Sequence, residues 1–305
     1  MKTAALTEVI RQSGDLQFVQ ILNEIRIGRV SQQARDLFQS CHVNRKAFPS
    51  DGIIPTKLFC TNKDVDAENL RRLAQLNVDS FLFTGYDELE IASASDPTSR
   101  EISALVEAAN AKVPSNLTLK VGAQVVLLRN LRPDLVNGSR GVCLGYQDIS
   151  KPFQKQSKRQ RTAATSDMKD HEILWSGSGS EPSGRLLQML QTSAERVLAP
   201  IIQFSNGRVA CVPPFEFFIG LGAKGSVIRL QLPLKLAWAL TVHKSQGMTL
   251  SRCMIQASDA FEFGQVYVAL SRCVSSEGMW ICGGIITESA CKAHSDVLKF
   301  MGENT

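Results

Sequence analysis

Apolar residues recur at helical spacing through the first forty positions. Leu6, Val9 and Ile10 share one face, and Phe18, Val19, Leu22 and Ile25 share the next. Asp15 is placed to cap the second helix and Gly28 to end it. The apolar run Lys57-Leu58-Phe59-Cys60 follows Pro55 and predicts a strand. The polar pair Thr61-Asn62 comes next, then a helix from Asp64 to about Leu76 carrying Leu70, Leu73, Ala74 and Leu76. Strand, polar turn and helix in succession is the grammar of an α/β domain.

From about Leu117 the period changes. Leu117, Leu119 and Val121 alternate, and Ala123 to Leu128 continues as a strand. Val136 to Gly141 is turn chemistry, and Val142 to Tyr146 predicts another strand. Ile201 to Phe204, the Asn206-Gly207 turn and Arg208 to Val212 form a hairpin pattern, and Val227 to Leu232 alternates again. Short strands punctuated by turns predict a small β-barrel. Within them lies a segment of different composition, about 148–198, with five basic and no acidic residues between Lys151 and Arg161 and a Ser-Gly repeat at 176–180. Most of it is expected to be a mobile surface insertion, with 148–176 poorly ordered. Lys158-Arg159-Gln160-Arg161 fits a nuclear signal or phosphate-contacting patch, or simply a solvated basic loop.

After Leu232 the α/β pattern returns. Leu236 to Leu240 leads into Thr241-Val242-His243-Lys244-Ser245-Gln246-Gly247. Cys253 to Ile255 predicts a strand, Phe263 to Ser271 a helix, Met279 to Cys282 a strand, and Ser289 to Phe300 a closing helix. The expected architecture is an α/β domain in two parts, 1–114 and 233–305, split by a β-barrel insertion over 115–232.

Composition narrows the function classes. The 305 residues are 44% hydrophobic and 21% charged, enough to bury a core. No apolar run is long enough for a simple membrane-spanning helix, and the first fifteen residues lack a signal core, so an intracellular protein is expected. The net charge of +5 permits an anionic partner without requiring one. The eight cysteines form no CxxC pair and histidines number four, so neither a metal site nor a disulfide framework is expected.

Two segments carry chemistry. Thr241 to Gly247 packs hydroxyls, a cation, an imidazole and an amide directly after a buried strand. Such turns, outside the carboxyl ends of strands, are where α/β folds place ligands, and the groups suit phosphate oxygens. A polar helix cap explains the same residues equally well. The second segment, Gln265 to Arg272, ends in an arginine just past an apolar helix. Arg272 suits either a finger on a transferred phosphoryl group or a cation complementing the helix dipole.

Together the segments resemble a known family. Leu232 to Leu250 is similar to motif V, and Gly264-Gln265 to Arg272 to motif VI, of the Pif-type (petite integration frequency) and RecD-like helicases of superfamily one. Ile10-Arg11-Gln12 with Phe18-Val19 and Leu22 to Arg26 resembles the motif IV region. Thr61 to Asp66 followed by Asn69 resembles the next block, and Lys120 to Val125 with Asn137 to Gly141 resembles the inserted Src-homology-three-like barrel. The resemblance covers nearly the whole chain outside 148–198. It implies a RecA-like second helicase domain, a parallel sheet with flanking helices, split by a small SH3-like β-barrel. It implies five-prime to three-prime movement on DNA driven by ATP, in the setting of DNA repair, recombination and telomere maintenance. Arg11 and Arg272 are then expected at the γ-phosphate, with Gly247 and Gln265 near the nucleotide. Thr61, Asn62, Thr241, His243, Lys244, Ser245 and Gln246 are expected along the single-stranded DNA path or coupling it to the nucleotide cleft.

The chain departs from a complete helicase. It contains no GxxxxGK[ST] string to cradle phosphates and position Mg²⁺. Gly220 to Ser226 is a decoy, because glycine follows its lysine. Phe81-Leu82-Phe83 with Asp87-Glu88 imitates a Walker B strand but falls after the Thr61-Asn62 block. The expectation is therefore the carboxyl-terminal half of a helicase, acting as a monomer in nucleus or mitochondrion if eukaryotic. ATP and Mg²⁺ would be held with a first RecA-like domain. The competing expectation is a non-catalytic remnant that binds single-stranded nucleic acid.

Overall fold

The computed structural model describes residues 9–50, 52–90, 99–150, 171–175, 182–193, 195–220, 225–256 and 262–300. In chain order they form α1 (Leu16–Arg26), α2 (Gln32–Ser40), β1 (Thr56–Phe59), α3 (Asn62–Ala74), β2 (Ser80–Thr84), β3 (Tyr86–Glu90) and α4 (Ser99–Lys112). There follow β4 (Asn116–Lys120), β5 (Gln124–Leu127), β6 (Arg140–Asp148), α5 (Gly184–Thr192), β7 (Leu198–Phe204), β8 (Val209–Cys211) and β9 (Phe215–Gly220). Last come β10 (Ser226–Gln231), β11 (Leu234–Leu236), β12 (Ala239–Thr241), β13 (Cys253–Gln256), α6 (Gln265–Leu270), β14 (Met279–Cys282) and α7 (Ser295–Phe300). They gather into two units, Met1–Arg72 with Ala237–Thr305, and Leu73–Leu236.

The first unit is built on a four-stranded sheet in the order β12-β1-β13-β14, parallel throughout. Its strands are only three or four residues long. They are mostly apolar, as strands covered on both faces must be: Leu58, Leu240, Ile255 and Ile281 are all buried. Helix α1 buries Phe18, Ile21, Leu22 and Ile25 and packs against α6. Its start is fixed by Asp15, whose Oδ1 accepts from Phe18 N at 2.9 Å, and Gly28 follows its end at φ +85°. Helix α3 is tied to the sheet by one amide: Asn69 Nδ2 donates to Ala239 O and Asn69 Oδ1 accepts from Ala239 N, both at 3.0 Å. This replaces two ladder bonds on the outer side of β12. Gly278, just before β14, lies so close to the Ser251-Arg252 backbone that an added Cβ would fall 2.0 Å from Ser251 O.

The second unit is antiparallel. Its largest sheet has the order β11-β5-β6-β7-β8, and β3-β10-β9 and β2-β4 form two smaller ones. The alternation at 117–121, the run to Leu128 and the 201–212 hairpin become β4, β5, β7 and β8. A buried arginine organises the smaller sheet. Arg229 is fully buried, and its guanidinium donates to both oxygens of Asp87 at 2.6 Å, to Asn110 Oδ1 at 2.6 Å and to Val113 O at 2.5 Å.

Several expectations need correction. Residues 73–114, assigned from sequence to the α/β part, fall in the second unit, because β2 pairs with β4 and β3 with β10. Val9 and Ile10 lead into turns rather than a helix, and Leu6 lies outside the described residues. The closing helices are shorter than their apolar periods suggested, Gln265–Leu270 and Ser295–Phe300. Segment 148–198 is not all loop. Ile173 and Trp175 pack with Leu186 and Leu190 of α5 against Ile149, Ala199 and Cys211. The basic run and the Ser-Gly repeat lie outside the described residues. The Walker-like Asp87 is engaged by Arg229, a structural role that agrees with setting it aside as a Walker B carboxylate on its place after the Thr61-Asn62 block.

Candidate functional site: the two edges of the parallel sheet

The chemistry-bearing residues of the first unit divide between the carboxyl and amino edges of its sheet. Strands β1 and β12 are neighbours and parallel, so the turns after them emerge side by side at the carboxyl edge. One holds Thr61 and Asn62, the other His243 to Gly247, and Val242 N donates to Phe59 O at 2.9 Å to hold them together.

Much of the polar chemistry of these turns is spent internally. Thr241 and Ser245 are buried. Thr241 Oγ1 accepts from Lys244 N at 3.1 Å, and Ser245 Oγ donates to Val242 O at 2.6 Å. Thr61 Oγ1 accepts from Asp64 N at 3.3 Å and also bonds the Asp64 carboxylate, capping α3. The side chains left facing solvent are Asn62, His243, Lys244 and Gln246. Among the described residues, Lys244 Nζ has no carboxylate within ion-pair distance, whereas His243 Nε2 meets Glu262 Oε2 at 3.0 Å. Gly247 is exposed at φ +80°, with open space where a Cβ would lie. That φ disfavours any side chain even though the space does not.

Helix α6 connects the carboxyl end of β13 to the amino end of β14, so Gln265 and Arg272 lie at opposite edges. Gln265 is buried at the carboxyl edge, where its Oε1 accepts from Glu262 N at 3.4 Å. Arg272 lies at the amino edge with Arg11, and Ser271 joins them. Arg11 Nη1 donates to Ser271 O at 3.0 Å and Arg11 Nε to Thr249 Oγ1 at 3.1 Å. Arg272 Nη2 donates to Ser271 Oγ at 2.7 Å and Arg272 Nε to Val268 O at 2.9 Å. Among the described residues no carboxylate lies within ion-pair distance of either arginine. Burial, then the neighbouring Arg11 charge, pulls the Arg272 pKa below its ordinary value. Among the described residues, two half-buried guanidiniums thus meet at Ser271 with only neutral acceptors around them.

The expected residues are thus only partly brought together. Arg11 joins Arg272, and Thr61 and Asn62 join His243, Lys244 and Gln246, but Gln265 is separated from Arg272 by the length of α6. Thr249, Gln12 and Ser271 belong to the arginine site, although only Arg11 and Arg272 stood out in the sequence. Gln12 and Ser271 sit directly beside the arginines, and Thr249 lies within the Leu232 to Leu250 stretch read as motif V.

The family model described as DNA helicase Pif1, 2B domain, matches residues 108–145. The ATP-dependent DNA helicase PIF1 of Candida albicans is 30% identical over 98% of this chain and 36% of its own length. That of Xenopus laevis is 36% identical over 91% of this chain and 34% of its own length. The crystal structure of Pif1 helicase from Candida albicans, 29% identical, superimposes with a TM-score of 0.66 over 99% of this chain and 61% of that one. The chain spans about a third of the length of these curated relatives. By the matched model, the identity along nearly its whole length and the shared fold, the chain is similar to the carboxyl-terminal part of Pif1 helicases.

Proposed function

We propose that the chain is the second motor half of an ATP-dependent DNA helicase moving five-prime to three-prime on single-stranded DNA. Arg11 and Arg272 stabilise charge on the γ-phosphate of ATP held by a preceding RecA-like domain. The observation that carries this is the meeting of two half-buried, uncompensated guanidiniums at Ser271. A phosphoryl group in flight spreads charge over its equatorial oxygens. Arginines with fixed forks are suited to that charge and need little reorganisation to meet it.

Arg272 is folded back onto Val268 O and Ser271 Oγ, the contact expected of a helix-end cation. Reaching an anion requires exchange of these neutral acceptors for phosphate oxygens, a favourable trade because charge-assisted bonds are the stronger. ATP and Mg²⁺ belong to the preceding domain in this reading. The chain supplies no phosphate-cradling loop, and Asp87 is committed to Arg229.

At the carboxyl edge, Asn62, His243, Lys244 and Gln246 line the DNA path, with Lys244 as the phosphate contact. Thr241 and Ser245 act behind them by shaping the turn. The five-stranded antiparallel sheet containing β5 and β6 supports reading the second unit's core as the inserted SH3-like barrel. The test is a longer form carrying the upstream domain: it is expected to hydrolyse ATP when single-stranded DNA is added and to unwind duplexes, and the 305-residue chain to do neither. DNA-stimulated hydrolysis by the short chain, free of contaminating ATPase, would overturn the division of labour.

A further inference from the structure

The two arginines come from segments about 260 positions apart, and Arg11 ties them only through its own flexible side chain, to Ser271 O and Thr249 Oγ1. Behind them lies a second set of contacts. Gln12, almost fully buried, donates through one Nε2 to both Ser271 O at 3.1 Å and Cys273 O at 2.6 Å. Asp15 uses its two oxygens for different tasks. Oδ1 caps α1 through Phe18 N, while Oδ2 accepts from Ser276 N at 3.0 Å and Ser276 Oγ at 2.7 Å. The segment is closed on itself by Asp15 N donating to Gln12 O at 2.9 Å. One short turn is therefore fastened at two points to the stretch that carries Ser271 and Arg272.

We propose that Gln12 and Asp15 are positioning residues, a latch that clamps segment 11–15 onto segment 271–276 and sets the spacing of the Arg11 and Arg272 guanidiniums for one shared anion. The proposal rests on the reading of that pair as an anion site. It assigns Asp15 a role beyond its helix cap, since a cap needs only one oxygen. The second oxygen does nothing for α1 and serves only the far segment. Gln12 likewise gains nothing from its own helix, because it precedes α1. A misplacement of about 1 Å in a charge-stabilising group costs on the order of 10²-fold in a reacting site, so a latch of this kind belongs to function as much as to folding.

The test uses the 305-residue chain and inorganic tripolyphosphate as probe, titrated by calorimetry at low salt. Arg11→Ala and Arg272→Ala are each expected to weaken binding about tenfold. Their effects should be non-additive, because both grip one anion. Asp15→Ser keeps a capping oxygen and removes the reach to Ser276. It is expected to weaken binding severalfold and to make the two arginine effects additive. Ser276→Ala, a milder cut that leaves the backbone N–H in place, should move both quantities in the same direction, and Ser276→Thr should restore them. In ¹⁵N spectra the Arg11 Nε–H signal, held by Thr249 Oγ1, should shift toward the exposed arginines in Asp15→Ser.

If Asp15→Ser and Ser276→Ala fold, bind as wild type and keep the coupling, the latch is refuted. A lower melting temperature with coupling intact would also refute it, leaving a purely structural tie. If Asp15→Ser does not fold, Ser276→Ala decides. Should Arg11→Ala and Arg272→Ala bind tripolyphosphate like wild type, the anion reading itself falls. That outcome is distinct, because the Arg11 Nε–H shift on cutting the latch would remain.

Discussion

Removing Asp87 from beneath Arg229 tests the physical account of the second unit. The guanidinium is fully buried, and two of its four hydrogen bonds are to Asp87, as a bidentate pair at 2.6 Å. Asp87→Ala leaves Asn110 Oδ1 and Val113 O to satisfy one nitrogen and strands a positive charge in the core. Breaking a buried pair in this way costs about 3–5 kcal/mol. At about 2–4 °C per kcal/mol for a unit of this size, the melting temperature should fall by about 6–20 °C. The pair itself is a different matter, because two desolvated charges return little net stability. Asp87→Leu with Arg229→Met, which removes both, is expected to lie within about 2 kcal/mol of wild type. Urea denaturation followed by circular dichroism measures both variants. If Asp87→Ala costs under 1 kcal/mol, or the double variant is as unstable as the single one, the argument from a stranded charge fails.

Other outcomes follow from the same structure. Lys244→Ala in the 305-residue chain should weaken single-stranded DNA binding and flatten its salt dependence by about one phosphate contact, without changing the melting temperature; filter binding across salt concentrations measures it, and salt-independent binding would contradict it. Of the eight free thiols, only Cys60 and Cys282 are even partly exposed, and burial pushes Cys211 and, with Glu288 nearby, Cys291 up to about 12, so a native thiol titration at pH 8 should find two fast-reacting groups and denatured protein eight. Burial works to raise the Asp15 pKa, but hydrogen bonds from Ser276 and Phe18 outweigh it and hold the carboxyl below its ordinary 3.8. Its stabilisation is therefore complete above that value and lost as pH falls through the lower folded one. Asp15→Ser should remove that part of the acid-stability curve, read by fluorescence-monitored acid titration.

The parallel sheet was legible because its strands are short apolar runs emptying into polar turns, a pattern that survives any packing. Met279 to Cys282 and the Lys57 strand show this most clearly. The boundary at residue 72 was not legible. Strands β2 and β3 look like continuations of the preceding α/β stretch, and only their antiparallel partners, some 32–40 and some 136–144 residues on, place them elsewhere. Helix α5 was masked by the composition around it: a basic run and a Ser-Gly repeat made the stretch look like loop, although Leu186 and Leu190 stand one helical turn apart. In the site, Arg11 and Arg272 were found by family resemblance. Arg272 alone was open to two explanations, and the structure gives it the contact of one and the neighbour of the other. The buried hydroxyls of Thr241 and Ser245 show the limit of motif reading, because residue type does not reveal whether a hydroxyl faces ligand or backbone.

The most direct test of the arginine pair is single-turnover ATP hydrolysis, with DNA present, by a longer form carrying the upstream domain. Arg272→Ala is expected to slow the chemical step by ~10³–10⁵-fold while ATP binding stays largely intact. Unchanged turnover in Arg272→Ala would contradict the proposal and leave Arg272 as no more than the cation that closes α6.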